Sequence, residues 1–384
     1  MTDSPVLAIR RITLTGFRNY AALRLETPAR LVALAGPNGA GKTNILEAIS
    51  LLAPGRGLRG AAFEELPRQG GAPNWAIAAE VDTEAGPVAI GTGWSGQSEA
   101  GDGGGRLVVM DGVVQKSLGA LAAAMRLIWL TPAQDRLFAG PASERRRFLD
   151  RLVAAFDPEH AARVGIFEKL MRERNLLLEE LRPDPAWLSS LEAQMAEAAV
   201  AISAARLVGL DALKTHLDEA RGESSFPWAE VSAGGEIEAR LAEKPAVQVE
   251  DEYRKILGDS RGLDRAAGRT LRGPHRTDLD VQHGPRQMPA GQCSTGEQKA
   301  LLIGLVLAQA RAVRAGTGVA PILLLDEVAA HLDRARRRGL LEALAALGSQ
   351  SWMTGTDAQL FEAIGATGAV FHVEDGQVRE AVGE

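Results

Sequence analysis

Leu31-Val-Ala-Leu-Ala-Gly-Pro-Asn-Gly-Ala-Gly-Lys-Thr-Asn-Ile-Leu46 carries the most information about the architecture of the chain. Leu31 to Ala35 is an apolar run that reads as a buried strand, and Ile45, Leu46, Ile49 and Leu52 recur at helical spacing. Between them stands Gly-x-x-x-x-Gly-Lys-Thr, with a strand before it and a helix after it, as a phosphate-binding loop requires. Glycines let backbone N–H groups turn inward around a phosphate without Cβ clashes, and the helix N-terminus adds its partial positive charge at the same point. The pattern implies a nucleoside triphosphate site lined by Gly36, Pro37, Asn38, Gly39, Ala40, Gly41, Lys42, Thr43 and Asn44. Lys42 is placed to reach the β- and γ-phosphates, and the Thr43 hydroxyl to bind Mg²⁺.

Around this motif, 384 residues with 46% hydrophobic and 24% charged content fit a globular protein with room for one large or two ordinary domains. A formal charge of −6 excludes a wholly basic nucleic-acid binder, though not a local basic face. The single cysteine, Cys293, excludes an internal disulfide framework and suits a reducing cytoplasm. No basic and then apolar leader is visible, and no run approaches the ~18 apolar residues that cross a bilayer. A cytoplasmic protein without a membrane partner is expected.

Leu7 to Thr15 alternates like a strand, with Leu23 to Glu26 as its hairpin partner and Gly16-Phe-Arg-Asn-Tyr20 as the turn. Further strands are expected at Trp75–Val81, Val88–Thr92, Leu107–Met110 and Arg126–Leu130, and a flexible hairpin tip over Gly91–Gly105. From Pro141 apolar stripes at helical spacing take over, through Phe148, Leu152 and Phe156, then Phe167 and Leu178, then Trp187, Leu191 and Ile202. These are core stripes of an αα-hairpin. At 1.5 Å per residue an arm of about 35 residues reaches about 50 Å. After Glu223 the pattern blurs, with short helices at Ile237–Leu241 and Glu252–Leu257 and a tight turn at Gly273-Pro-His-Arg feeding a strand. A helix over Gly296–Arg314, a strand at Pro321–Leu325, a helix over Arg334–Leu347 and a strand at Ser351–Thr356 complete the pattern, with a small hairpin at the end.

The apolar strand Ile322 to Leu325 ends in two carboxylates. Asp326 fits the Mg²⁺-side ligand of a Walker B element, and Glu327 the base that orients the attacking water. Ser294-Thr-Gly-Glu-Gln-Lys299 resembles the signature motif of ABC-type ATPases, in which Ser294 and Gly296 face a γ-phosphate bound by the opposite subunit. Ala329-Ala-His-Leu-Asp333 resembles the D-loop, with Asp333 near the nucleotide and His331 a solvated loop residue. Gln134 stands where a Q-loop glutamine would be. In Trp352-Met-Thr-Gly-Thr356 a threonine, Thr354, replaces the usual switch histidine.

Together with Glu144-Arg-Arg-Arg-Phe-Leu-Asp150, Gly273-Pro-His-Arg276 with Asp278, and Gly55-Arg-Gly-Leu-Arg59, these motifs make the chain resemble the RecF family of bacterial recombination and repair ATPases. That family is related to the SMC and Rad50 heads, and the resemblance runs end to end. One departure is Pro132-Ala-Gln-Asp135, where the family shows Pro-Glu-Asp, and no Cys-x-x-Cys marks the arm tip. The resemblance implies an α/β, ABC-type P-loop ATPase head over 1–136 and 261–384, with an inserted helical arm over 137–260. It implies a slow ATPase, with ATP and Mg²⁺ as cofactors, that dimerises on ATP. Such a protein binds DNA at gaps or junctions, works with RecR and indirectly RecO and RecA, and supports fork recovery and SOS induction. Arg56 and Arg59, and Arg145, Arg146 and Arg147, are the candidate DNA contacts, since arginine clusters grip phosphate. With 4% aromatic residues, a stacking platform for single strands is not expected to dominate. The alternative is an ABC-type ATPase subunit coupled to a membrane partner.

Overall fold

The computed structural model describes residues 7–96, 105–219, 221–222, 224–330, 332–365 and 368–381. His331 and most of the Gly91–Gly105 hairpin tip lie outside the described residues. The chain forms two compact units, one of residues 1–135, 222–226 and 302–384, the other of 136–221 and 227–301.

The first unit holds two six-stranded sheets. Leu31–Ala35 is central in the mixed sheet, paired in parallel with Ser351–Gly355 on one side and Gly368–Glu374 on the other. Ser351–Gly355 in turn pairs in parallel with Ile322–Leu325, and that strand with Leu127–Leu130. Most of these strands are short and nearly all apolar, as expected of strands covered on both faces. The carboxyl ends of Leu31–Ala35, Ser351–Gly355 and Ile322–Leu325 therefore lie side by side. In open α/β sheets that is where ligands bind.

The second sheet is antiparallel, in the order Tyr20–Glu26, Ala8–Phe17, Trp75–Thr83, Gly86–Trp94, Leu107–Met110 and Val113–Val114. Its alternating strands send Ile12, Leu14, Trp75 and Ile77 into one core with Val32, Leu34 and Trp352 of the mixed sheet. The helix Lys42–Ser50 fills that core through Ile45, Leu46 and Ile49, each fully buried. At about 1.5–3 kcal/mol per buried side chain, this packing fixes where the helix N-terminus points.

In the second unit the helices Ala142–Ala154, His160–Glu179 and Pro185–Glu219 carry the arginine cluster and the αα-hairpin. They share the unit with the helices Glu236–Leu241, Ala246–Asp259 and Arg261–Ala267 and the small sheet of Ala229–Gly234, Asp278–His283 and Met288–Pro289. The return to the first unit thus comes at residue 302 instead of the expected 261. Buried ion pairs supply the physical reason. Arg174 on the hairpin, with no exposure, meets Glu192 and Asp264, and Arg206 meets Asp150 and Glu238. A desolvated charge needs its partner, so residues 236–278 stay with the helices.

The helix Thr295–Thr317 is long and apolar enough to cross a membrane, and 67% of its most apolar window is buried inside the protein. It reads as a core helix.

Candidate nucleotide site

The phosphate-binding loop leaves the central strand at Gly36, where φ is +155°, a value that favours glycine. A Cβ there would run into the carbonyl of Val373 on the neighbouring strand. At Gly41, φ +110°, a Cβ would collide with Asn19 and Tyr20 of the first hairpin turn. That turn braces the loop from outside. Asn19 Nδ2 donates to Ala40 O at 3.2 Å, Tyr20 OH donates to Gly41 O at 3.2 Å, and Asn44 Nδ2 donates to Asn19 Oδ1 at 2.7 Å. Burial pushes the Tyr20 phenol well above its ordinary range, so it stays a donor.

Lys42 and Thr43 open the helix. Lys42 is buried, and its ammonium donates to Gly36 O at 2.6 Å and Pro37 O at 2.8 Å. Burial lowers its pKa, while the charges of Glu327 and Asp326 pull it back up. Thr43 Oγ1 donates to Asp326 Oδ1 at 2.9 Å, which joins the loop to the end of Ile322–Leu325. Asp326 is held by its own N–H donating to Leu130 O at 2.8 Å. Glu327 follows with φ +49°, a left-handed conformation that costs a side-chain-bearing residue roughly 1–2 kcal/mol. Lys42, Thr43, Asp326 and Glu327 are thus brought together from the two ends of the chain.

The remaining candidates fall out differently. Thr354 is fully buried. Its hydroxyl accepts from Glu327 N at 2.7 Å and donates to Asp326 Oδ1 at 2.7 Å. Its one proton is therefore committed to a carboxylate, and the exposed hydroxyl at the end of that strand is Thr356. Gln134 sits in the turn after Leu127–Leu130, its Oε1 accepting from Thr131 N at 3.0 Å. Its buried Nε2 has no hydrogen-bond partner among the described residues, so what it offers is a donor, which cannot ligate a cation.

Ser294 and Gly296 belong to the second unit. Ser294 is exposed, and both its N–H (3.0 Å) and its hydroxyl (2.8 Å) donate to Glu297 Oε2. Those two bonds, with Arg286 and His283 nearby, hold the Glu297 carboxyl below its ordinary range. Presenting the Ser294 hydroxyl to a phosphate requires turning it away from Glu297. Asp333 accepts from Arg336 N at 2.8 Å and caps the helix Arg334–Leu347.

The arginine candidates divide sharply. Arg145 clasps Asp278 with two bonds of 2.8 and 2.6 Å, and Arg146 donates to Thr277 O at 2.9 Å. Of the five candidate DNA contacts, those two guanidiniums are engaged within the fold. Arg59 is exposed but donates to Glu47 at 3.0 Å and Asn44 at 2.8 Å. Arg56 and Arg147 are exposed and make no hydrogen bond or ion pair among the described residues.

Two elements escaped the sequence reading. Glu47, fully buried on the helix behind the loop, accepts from Arg18 at 2.8 and 2.7 Å and from Arg59. Its signal was an acid between the apolar residues Ile45, Leu46, Ala48 and Ile49 of the helix. Arg106, whose pKa burial lowers to about 10, donates to Ala53 O at 3.2 Å, to Gly55 O at 3.0 Å, to Leu51 O and to Thr92 Oγ1 at 2.8 Å. A cation on those carbonyls complements the helix C-terminus and pins the loop that carries Arg56.

The residues fit both a nucleotide and a divalent metal. The loop backbone is kept open by Gly36 and Gly41, a lysine lies across it, and a hydroxyl and a carboxylate meet at 2.9 Å beside it. Residues 8–379 match the family model described as the RecF/RecN/SMC N terminal domain. A protein of Agrobacterium fabrum named DNA replication and repair protein RecF is 50% identical over 373 residues, covering 97% of this chain and 98% of the relative. The chain belongs to the RecF family. A Mesorhizobium japonicum protein of the same name is also 50% identical, over 371 residues, covering 96% and 97% of the two chains. Among solved structures, one described as the recombination mediator protein RecF-ATPrS in the RecFOR pathway superposes with a TM-score of 0.85 at 23% identity, covering 99% of each chain. An Smc head domain with an extended coiled coil from Pyrococcus furiosus gives 0.54 at 17% identity, covering 98% of this chain and 96% of that one. These place the fold among ABC-type heads of the SMC kind.

Proposed function

We propose that the protein is an ATP-dependent DNA-binding switch of recombinational repair and replication-fork recovery, acting in the cytoplasm. It closes into a homodimer on ATP, binds DNA at gaps or junctions, and with RecR helps place RecA, supporting SOS induction. The single observation that carries the nucleotide part is the 2.9 Å bond from Thr43 to Asp326, with Glu327 next in the chain. Lys42 and the backbone of Gly36 to Thr43 would hold the phosphates, and Thr43 and Asp326 the Mg²⁺. A metal held there would neutralise developing phosphate charge. Glu327 accepts a proton from water and orients it, and Lys42 balances phosphate charge. Ser294 completes the partner subunit's site once it leaves Glu297. Family membership supports the repair role, and the RecFOR context comes from the description of a structural relative. The DNA contacts narrow to Arg56 and Arg147, with Arg59 able to swing from Glu47.

The test is ATP turnover with and without gapped DNA, for the wild type and for Lys42→Ala and Glu327→Gln. Turnover that changes with DNA and vanishes in both variants is expected. Turnover indifferent to DNA contradicts the repair switch and returns the membrane-coupled alternative.

A further inference from the structure

Thr354 occupies a position that a phosphate sensor would not choose. It lies on Ser351–Gly355, the strand between the one that feeds the phosphate-binding loop and the one that ends in the two acids. Thr354 is in register with Leu34 on one side, and Met353 with Leu325 on the other, so the next step along the sheet sets Thr354 beside Asp326. The side chain has no exposure. One hydroxyl bonds to both acidic residues: it accepts from the Glu327 N–H at 2.7 Å and donates to Asp326 Oδ1 at 2.7 Å. The same Asp326 oxygen takes the Thr43 proton at 2.9 Å. A hydroxyl has one proton, and a backbone N–H can only donate, so the direction of each bond is fixed. The residue whose N–H it holds is in a left-handed conformation, at φ +49°. A strained backbone of this kind persists only where its surroundings over-determine it.

We propose that Thr354 is a positioning residue for ATP hydrolysis: its hydroxyl locks the turn that aims Glu327 and sets the Asp326 carboxylate toward Thr43. The inference rests on the assignment of Asp326 and Glu327 given above. It adds the residue that holds both in place. Thr354 touches neither phosphate nor water in this scheme. It acts through the two acids, and the strand order sets it beside them. Valine puts a methyl where threonine has its hydroxyl, so Thr354→Val deletes both bonds with little change of shape and frees the Glu327 turn. Serine keeps both bonds. Displacing a water-orienting group by a fraction of an ångström to one ångström lowers turnover by about 10- to 100-fold.

The experiment compares wild type, Thr354→Val, Thr354→Ser and Glu327→Gln. Two readouts are used: steady-state ATP turnover, and affinity for a fluorescent ATP analogue with and without Mg²⁺. Thr354→Val should bind the analogue normally without Mg²⁺, lose most of the affinity that Mg²⁺ adds, and turn over about 10- to 100-fold slower. Thr354→Ser should recover both properties. If Thr354→Val does not fold, Thr354→Ala carries the same expectations, since it errs toward too little volume instead of an apolar methyl. Wild-type turnover or a wild-type Mg²⁺ response in the hydroxyl-free variant overturns the proposal. So does a Thr354→Ser protein as impaired as Thr354→Val, because keeping the hydroxyl then restores nothing. A Glu327→Gln protein that hydrolyses ATP at the wild-type rate sinks the underlying site assignment instead, whatever Thr354 does.

Discussion

Arg147→Ala and Arg56→Ala should weaken DNA binding in a way that Arg145→Ala does not, although Arg145 and Arg147 stand on one helix. The magnitudes follow from where each guanidinium is spent. Arg56 and Arg147 are exposed and unpaired among the described residues. Deleting one arginine–phosphate pairing should lower the slope of log K against log salt by about 0.9 on duplex, and in a dimer each substitution deletes two, about 1.8. Over a fourfold rise in salt, a slope change of 1.8 alters the ratio of wild-type to variant affinity by about 12-fold. Arg145 is spent on Asp278, with side chains 17% and 29% exposed. Removing that bidentate pair should cost about 1–2 kcal/mol after allowing for partial solvation. The melting temperature then falls by about 2–8 °C while the salt slope stays put. The assay is DNA affinity by fluorescence anisotropy over a roughly fourfold range of salt, with ATP present and Glu327→Gln blocking turnover, alongside thermal unfolding of each variant. An Arg145→Ala protein with a reduced slope and unchanged stability refutes the division. Wild-type slopes for both Arg56→Ala and Arg147→Ala would move the DNA elsewhere on the protein.

Two further outcomes concern the second unit. Arg174→Met removes the cation from a buried cluster and leaves Asp264 with Ser260 and the Leu271 N–H, while Glu192 keeps Arg261. A loss of about 3–5 kcal/mol is expected, read as a drop in melting temperature of about 6–20 °C. A change within error would show that the cluster is well solvated. His275 has its pKa lowered by burial, partly offset by its bond to Thr270 O and reinforced by Arg146 and Arg276. Below about pH 6.5 the unfolded chain binds this proton and the folded one resists it, so stability should fall as pH drops from about 7.5 toward about 5.5. His275→Gln should flatten that fall in urea titrations, and an equal fall in the variant would assign the effect to other groups.

The parts of the site that are contiguous in the chain were legible from it. Strand, loop and helix over Leu31 to Leu46 announce themselves because glycine spacing, Lys42 and apolar periodicity occur in one window. Asp326 and Glu327 are equally plain at the end of a short apolar strand. What the sequence hides is whatever depends on register between distant strands. Thr354 looks like a substitute sensor until Ser351–Gly355 is placed between its two neighbours. It then proves to face the acids. Arg145, Arg146 and Arg147 are identical letters in a row, and Asp278 and Thr277, far along the chain, decide which of them is free. Ala229–Gly234 escaped as a strand because its core-facing residues are few and its alanines and glycine carry little β-signal. The division at residue 302 is hidden for another reason: buried ion pairs such as Arg174 with Asp264 leave no periodic trace.

Sedimentation of Glu327→Gln with ATP and Mg²⁺, alone and mixed with Ser294→Arg, asks outright whether nucleotide held by Lys42, Thr43 and Asp326 drives closure against the Ser294 of a second chain. Glu327→Gln should sediment as a dimer with ATP and as a monomer without it. Ser294→Arg should bind nucleotide yet stay monomeric alone, and should form at most weakened mixed dimers with Glu327→Gln. A Glu327→Gln protein that remains monomeric at saturating ATP, or a Ser294→Arg protein that dimerises like it, would rule out closure of this kind.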